Sequence, residues 1–300
     1  MNSKIMTSRG FKFVAFLLLT LASSNFVIAQ TRLPQNVRRV ITTFSYTIEN
    51  GQQKQPAYVI EQELYDSLSR KHTDIFFDRK DHSPHNFKWF YYKGSALYKA
   101  EIYEHEKLKQ EIDYKYSNNQ ITQQEIKNIS STDTTVLLRL YFTCNEIGKP
   151  IKIIAKNAQE RAVYTCTSKY NKNGTEISRK VKVKKNNFPQ DSIISLSSKP
   201  SYDQQGRLSA QKVKTIYSDK RAKTLDYRYS YDSKGNQTGI LTLDENGKQV
   251  AREELFFHEK YENRVLQINR YGANNVLVEF ITKRYEVYPS NNPTILNVED

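Results

Sequence analysis

The chain has little of several things. Its 300 residues include two cysteines, one tryptophan, 10 glycines and 8 prolines. Two cysteines exclude a disulfide-stapled scaffold and a cysteine-rich zinc module. So little glycine and proline excludes collagen-like and low-complexity sequence. Past residue 22 no apolar run approaches the ~20 residues that a membrane-spanning helix needs. No catalytic constellation is present either, so the chain is not expected to be an enzyme, and no cofactor or metal is expected.

Basic residues outnumber acidic ones, 46 to 32, for a formal charge of +14, and aromatics reach 12%. That aromatic content excludes a disordered chain. Residues 1–29 read as an export signal. Lys4, Arg9 and Lys12 precede an apolar segment at 14–22, and Val27-Ile-Ala29 marks a cut before Gln30. The apolar segment is too short for an anchor. Removing the signal takes away three positive charges and leaves a formal +11. The expected location is periplasmic or extracellular. A basic exported protein suits anionic polysaccharide, lipid or an envelope protein as partner, and not nucleic acid. The plainer reading of the same charge is solubility, and it is the favoured one.

Period-two alternation dominates the mature chain. Leu225, Tyr227, Tyr229 and Tyr231 alternate with Asp226, Arg228 and Ser230, and Ile112, Tyr114 and Tyr116 repeat the pattern. Leu138, Leu140, Phe142 and Cys144 form a more apolar face. Such alternation makes half-buried strands and no helical stripe; only residues 58–71 leave a helix open. Turn signals recur from Gly51 through Leu68, Lys80, Gly94, His105, Asn118, Thr132, Gly148, Gln159 and Gly174. They continue through Asn187, Gly206, Asp219, Gly235, Gly247, Asn263 and Asn275 to Ser290. This spacing predicts an all-β chain of sequential antiparallel hairpins forming one extended or curved repeat sheet over 30–290, with a tail at 291–300.

Several turns share one signature. Tyr202-Asp-Gln-Gln-Gly-Arg207, Tyr231-Asp-Ser-Lys-Gly-Asn236 and Leu243-Asp-Glu-Asn-Gly-Lys248 are the clearest copies, with Tyr170-Asn-Lys-Asn-Gly-Thr175 as an Asn version. Tyr65-Asp-Ser-Leu-Ser-Arg70 carries Ser69 where glycine is expected. Asp203, Asp232 and Asp244 are expected to accept backbone N–H groups inside their turns. Gly206, Gly235 and Gly247 take the left-handed conformation that closes a type I turn with a G1 bulge. At these residues the chain resembles the YD-repeat, or RHS-like, family of exported bacterial proteins, most clearly over 200–290. The resemblance implies hairpins winding into a shell, with carbohydrate binding proposed for some members. The chain is short for a toxin-enclosing shell, so encapsulation is not expected.

Each candidate for chemistry has a plain structural reading beside it. His82-Ser-Pro-His85, near Asp78 and Asp81, has metal-ligand residue types, but Pro84 suits an exposed loop. Lys180, Lys182 and Lys184 share one strand face, able to grip a polyanion or simply to solvate an edge. Tyr227, Tyr229 and Tyr231 form an aromatic row that suits sugar stacking or sheet packing. Asp78 and Asp81 as a hydrolase pair rank last. The leading expectation is a non-enzymatic exported protein that binds or scaffolds at the envelope; the alternative is a glycan- or lipid-binding protein using a curved aromatic face. Cys144 and Cys166 are expected two strands apart on opposite faces, as free thiols.

Overall fold

A computed structural model describes residues 37–184, 192–258 and 264–289. The export signal, the tail at 291–300 and the turns near Asn187, Asn263 and Ser290 lie outside the described residues.

Every described element is a strand, including residues 58–71, where the sequence leaves a helix open. The first nine are β1 Val37–Glu49, β2 Gln52–Tyr65, β3 Lys71–Phe77, β4 Pro84–Lys93, β5 Ala96–Glu104, β6 Lys107–Ser117, β7 Gln120–Ile129, β8 Thr134–Cys144 and β9 Pro150–Lys156. The rest are β10 Ala162–Tyr170, β11 Glu176–Val183, β12 Ile193–Tyr202, β13 Leu208–Tyr217, β14 Ala222–Tyr231, β15 Gln237–Leu243, β16 Gln249–Phe257, β17 Val265–Tyr271 and β18 Leu277–Pro289. Each pairs antiparallel with its sequence neighbours, as the turn spacing predicts.

The sheet is neither extended nor merely curved. β1 pairs with β2 on one side and β18 on the other, closing an 18-stranded barrel. An even strand number lets a meander close antiparallel throughout, and closure removes both sheet edges. Following the register once round the ring returns to β1 displaced by about 18 residues, so shear matches strand number. At ~3.3 Å per residue and ~4.8 Å between strands, this tilts the strands by about 35° and sets a backbone radius of roughly 17 Å.

Pairing assigns every side chain to a face. Phe90, Ala100, Ile112, Ile126 and Leu138 stand in register across β4–β8, and Phe142, Ile153, Cys166, Val181 and Leu196 across β8–β12. They belong to one apolar cluster in which Ala100, Leu140 and Ala155 are 0% exposed and Ile126 and Tyr164 1%. Side chains converge on the concave side of a closed sheet, so this is the inner face.

The turns behave as their chemistry dictates. Asp203 Oδ1 accepts from the backbone N–H of Gln205 (3.0 Å) and Arg207 (2.8 Å), and Asp232 Oδ1 from Lys234 (2.9 Å) and Asn236 (2.8 Å). Asp244 does the same with Asn246 and Lys248, both at 2.9 Å. Gly206, Gly235 and Gly247 have φ of 78°, 87° and 78°, and a register shift just before each turn marks the bulge. Ser69 adopts φ 58° in its glycine-less copy.

Five strand-end tyrosines, three of them from the signature, have a partner one hairpin back. Tyr231 Oη donates to the Leu208 carbonyl (2.8 Å), Tyr202 to Glu176 (2.8 Å), Tyr170 to Pro150 (3.0 Å), Tyr92 to Lys71 (2.8 Å) and Tyr285 to Val265 (2.9 Å). In each case the acceptor is the first residue of the preceding strand. The basic residue just before that acceptor covers the ring in four of the five: Arg207 lies 4.5 Å over Tyr231, Arg70 4.7 Å over Tyr92, Lys149 5.7 Å over Tyr170 and Arg264 5.3 Å over Tyr285.

Cys144 and Cys166 are free thiols two strands apart, but they share the inner face instead of lying on opposite faces. Cys166 stands opposite Ile153, and Ile153 opposite Phe142. A register shift at the start of β10, between Ala162 and Tyr164, moves the pairing by one residue from the simple hairpin count.

Two substitutions test the turn and the clasp. Nothing lies within 4 Å of a Cβ built on Gly235, so Gly235→Val meets only the cost of a β-branched residue at positive φ, about 1–2 kcal/mol lost in urea unfolding. Tyr231→Phe strands the Leu208 carbonyl and should cost about 1 kcal/mol in the same assay.

Candidate functional site

The residues singled out from sequence divide between the two walls. Lys180 and Lys182 pair with Ser197 and Ser195 and point outward, and Lys184 lies just past β11, exposed like the other two. Tyr227, Tyr229 and Tyr231 belong to the inner wall, Tyr227 in register with Gln211 and Thr242, Tyr229 with Ile240 and Tyr231 with Gln237. Lysines and tyrosines therefore form no joint site. The tyrosines are part-buried, and burial raises all three phenols, Tyr229 to about 12. Tyr229 also donates to Gln211 Oε1 at 3.3 Å. Tyr231 Oη is likewise committed, to the Leu208 carbonyl.

The outward lysines extend further than the sequence run indicated. Lys180, Ser197 and Lys214 stand in register across β11–β13, and Lys199 sits directly opposite Lys212. All five lysines of this patch are exposed. Like charges placed opposite each other on a sheet repel. The outer wall of β5–β9 differs. There Lys99 bridges Glu101 and Glu111 (2.7 Å each), Lys127 meets Glu111 (2.9 Å) and Asp113 (2.5 Å), and Arg139 meets Glu125 and Glu160 (2.5 Å each). Hydrogen bonds to these carboxylates raise Lys99, Lys127 and Arg139. Apolar outward side chains gather elsewhere, with Phe44, Val59, Ile75, Trp89 and Phe280 on β1–β4 and β18.

The inner wall carries a charged sector that sequence reasoning missed. Glu61, Glu63 and Asp74 place carboxylate oxygens within 4.8 Å of one another. Lys71 Nζ already occupies this cluster, 2.9 Å from both Glu63 and Asp74, and Tyr65 donates to Glu63 at 3.0 Å. The trio is therefore an ion-pair network and not a vacant metal cage. Burial raises Glu61, with Glu63 adding to it. Burial also pushes Glu63 up, but Lys71 and Lys283 outweigh it and hold Glu63 below its ordinary value. Burial lowers the Lys88 amine nearby, only partly opposed by Asp74. Part of the signal was present in β2, where Glu61 and Glu63 alternate with Ile60, Gln62 and Leu64, but the register shift that turns Val59 outward was not.

The histidine pairing also differs from expectation. His82 stacks on Tyr58, with centroids 4.9 Å apart. His85 instead meets His105 across β4 and the β5–β6 turn, Nδ1 to Nε2 at 3.1 Å. Asp78 and Asp81 serve the β3–β4 loop: Asp78 Oδ1 accepts from Lys80 N (2.6 Å), and Asp81 Oδ1 from Ser83 N (2.9 Å) and Oγ (2.7 Å). Those bonds from Ser83 lower the Asp81 carboxyl, the wrong direction for a general acid.

No protein-family model and no curated protein matches the chain. Solved structures do align with it, all at low sequence identity. The Photorhabdus luminescens Tc holotoxin pore, carrying the mutation TccC3-D651A, is 12% identical over 85% of this chain, with TM-score 0.33; the alignment spans only 16% of that chain. A porin-like protein from Bacteroides uniformis ATCC 8492 is 11% identical over 85% of this chain and 99% of its own, with TM-score 0.42. A porin-like protein from Bacteroides vulgatus ATCC 8482 is 9% identical over 83% and 98%, with TM-score 0.36. Among the described residues no helix is long and apolar enough to cross a membrane, which says nothing about strands.

The inner charged sector gives a pH prediction. A carboxyl raised in the folded state stabilises below its unfolded pKa, and that stability is lost as pH rises through the folded value. Glu61 ionisation therefore burdens the fold at neutral and alkaline pH. Glu61→Gln should raise the melting temperature at pH 8 by about one to three degrees, with the gain vanishing at pH 4.

Proposed function

We propose that the chain is an exported, non-enzymatic, YD-repeat-like shell that binds an anionic surface of the cell envelope through its outer wall. The observation that carries this reading is the lysine patch on β11–β13. Lys180, Lys182, Lys199, Lys212 and Lys214 are exposed on neighbouring strands, with Lys199 and Lys212 directly opposed. Elsewhere on the outer wall, Lys99, Lys127 and Arg139 are matched by carboxylates. Among the described residues only Asp226, the cross-strand partner of Lys212 on β14, brings an acid to its edge, so the patch suits a partner that supplies more negative charge, such as acidic polysaccharide or phosphate-bearing lipid.

The same wall argues against a lipid-embedded channel. An outward Lys or Arg near the bilayer midplane costs about 2–4 kcal/mol, and a membrane barrel shows lipid a continuous apolar band. The paired charges of β5–β9 sit at mid-strand and interrupt any such band. The apolar inner cluster of β4–β12 is likewise the reverse of a water-lined pore. A glycan or lipid held by the aromatic row is the weaker reading, since Tyr229 and Tyr231 spend their hydroxyls inside the barrel.

The test is co-sedimentation of the mature protein with vesicles containing anionic lipid, and with dextran sulfate beads, at low and high salt. Binding at low salt is expected to fall at least tenfold in the Lys199→Gln/Lys212→Gln double variant, and to disappear at high salt. Binding that ignores both salt and the lysines overturns the proposal, as does resistance to alkaline carbonate extraction from the vesicles.

A further inference from the structure

The geometry points to a two-histidine site for a divalent transition ion, best suited to Cu2+, formed by His85 and His105 on the rim of the barrel that carries the β3–β4 and β5–β6 turns. This goes beyond the lysine patch, which lies on other strands and attracts anions.

Four observations converge. First, His85 Nδ1 and His105 Nε2 lie 3.1 Å apart, with the rings edge-to-face at 87° and centroids 4.4 Å apart. Metal–nitrogen bonds of ~2.0–2.1 Å would subtend about 100° across that gap, an angle open to tetragonal and tetrahedral ions alike. The present spacing thus accepts an ion with little movement. Second, the other nitrogen of His85 lies near a carboxylate, Nε2 3.9 Å from Glu104 Oε1, outside hydrogen-bond range but reached by a small side-chain rotation. A ligating histidine characteristically directs its second ring N–H to such a group, which fixes the tautomer and leaves the first nitrogen's lone pair for the ion.

Third, the backbone holds the two residues in place. His105 N donates to the His85 carbonyl at 3.0 Å. Fourth, His105 and Glu106 both sit at positive φ, 48° and 62°, as the two-residue hairpin requires. The corresponding turns at Asn50-Gly51 and Asn118-Asn119 use residues that tolerate this conformation. The two-residue turn thereby fixes where His105 sits beside His85. His105 is exposed and Glu104 part-exposed, so water can complete the coordination. Among nitrogen-ligated divalent ions Cu2+ binds most tightly.

The sequence pairs His85 with His82 by adjacency, but the fold turns His82 towards Tyr58. Variants at all three positions therefore separate the two arrangements. Titration of the mature protein with Cu2+, read by calorimetry and by electron paramagnetic resonance, should give one saturable site per chain with two nitrogen ligands. His85→Gln or His105→Gln should abolish that site while far-UV circular dichroism stays unchanged. His82→Gln should leave it intact, and Glu104→Gln should weaken it about tenfold. Absence of a saturable site overturns the inference. So does a site that survives His105→Gln, or one lost in His82→Gln, which would return the ligand pair to the sequence neighbours.

Discussion

The pairing of β1 with β18 is the constraint on which the rest depends. It runs from Val37 opposite Pro289 to Tyr46 opposite Phe280, joining the two ends of the described chain. Without it the same hairpins would make an open ribbon with two unpaired edges and no enclosed side. With it, strand tilt and radius are fixed by strand number and shear, and one face converges while the other splays. Joining segments this far apart costs about 5 kcal/mol of loop-closure entropy, a cost that ten residue pairs of ladder and the burial of Ile41, Ile281 and Tyr285 can meet. The closing strands are accordingly among the longest in the barrel, and Thr42, Thr43 and Ser45 are buried within them.

Between the ends, order is local and repeated. Asp203 and Asp232 each close their own turn, while the tyrosine just before each, Tyr202 or Tyr231, fastens its strand to the start of the previous one. The two adjacent residues therefore act in opposite directions along the chain. Arg207 shows the link: its Nε binds Asp203 at 2.7 Å in its own turn, and its guanidinium covers Tyr231 of the next repeat. Arg70 does the same between Asp66 and Tyr92. A signature that describes isolated turns at first sight is thus a chain of couplings between hairpins.

The hairpins, their order and the turn chemistry were all legible in the sequence, because they depend on residues a few positions apart. The closure was not, since no residue in β1 or β18 advertises a partner at the other end. Alternation shows that a strand has two faces but not which is concave. Leu138 and Leu140 happened to mark the inner wall, whereas in β2 Val59 and Leu64 point outward and Glu61 and Glu63 point in. The one-residue shift at the start of β10 was hidden for a related reason. It inserts a bulge without changing the alternation on either side, and so reversed the expected relation between Cys144 and Cys166.

Charge completes the picture, because net charge says nothing about placement. On β5–β9 Lys99, Lys127 and Arg139 meet carboxylates on their own or a neighbouring strand, so much of that wall's charge is paired. The buried carboxylates of Glu61, Glu63 and Asp74 are balanced within the barrel by Lys71, with Lys283 nearby. By contrast, β11–β13 present Lys180, Lys182, Lys199, Lys212 and Lys214 outward with few acids among them. A chain needing only solubility could spread such a surplus evenly, which avoids the like-charge cost of Lys199 facing Lys212. Its concentration on three strands of one wall gives an otherwise symmetrical barrel a front and a back.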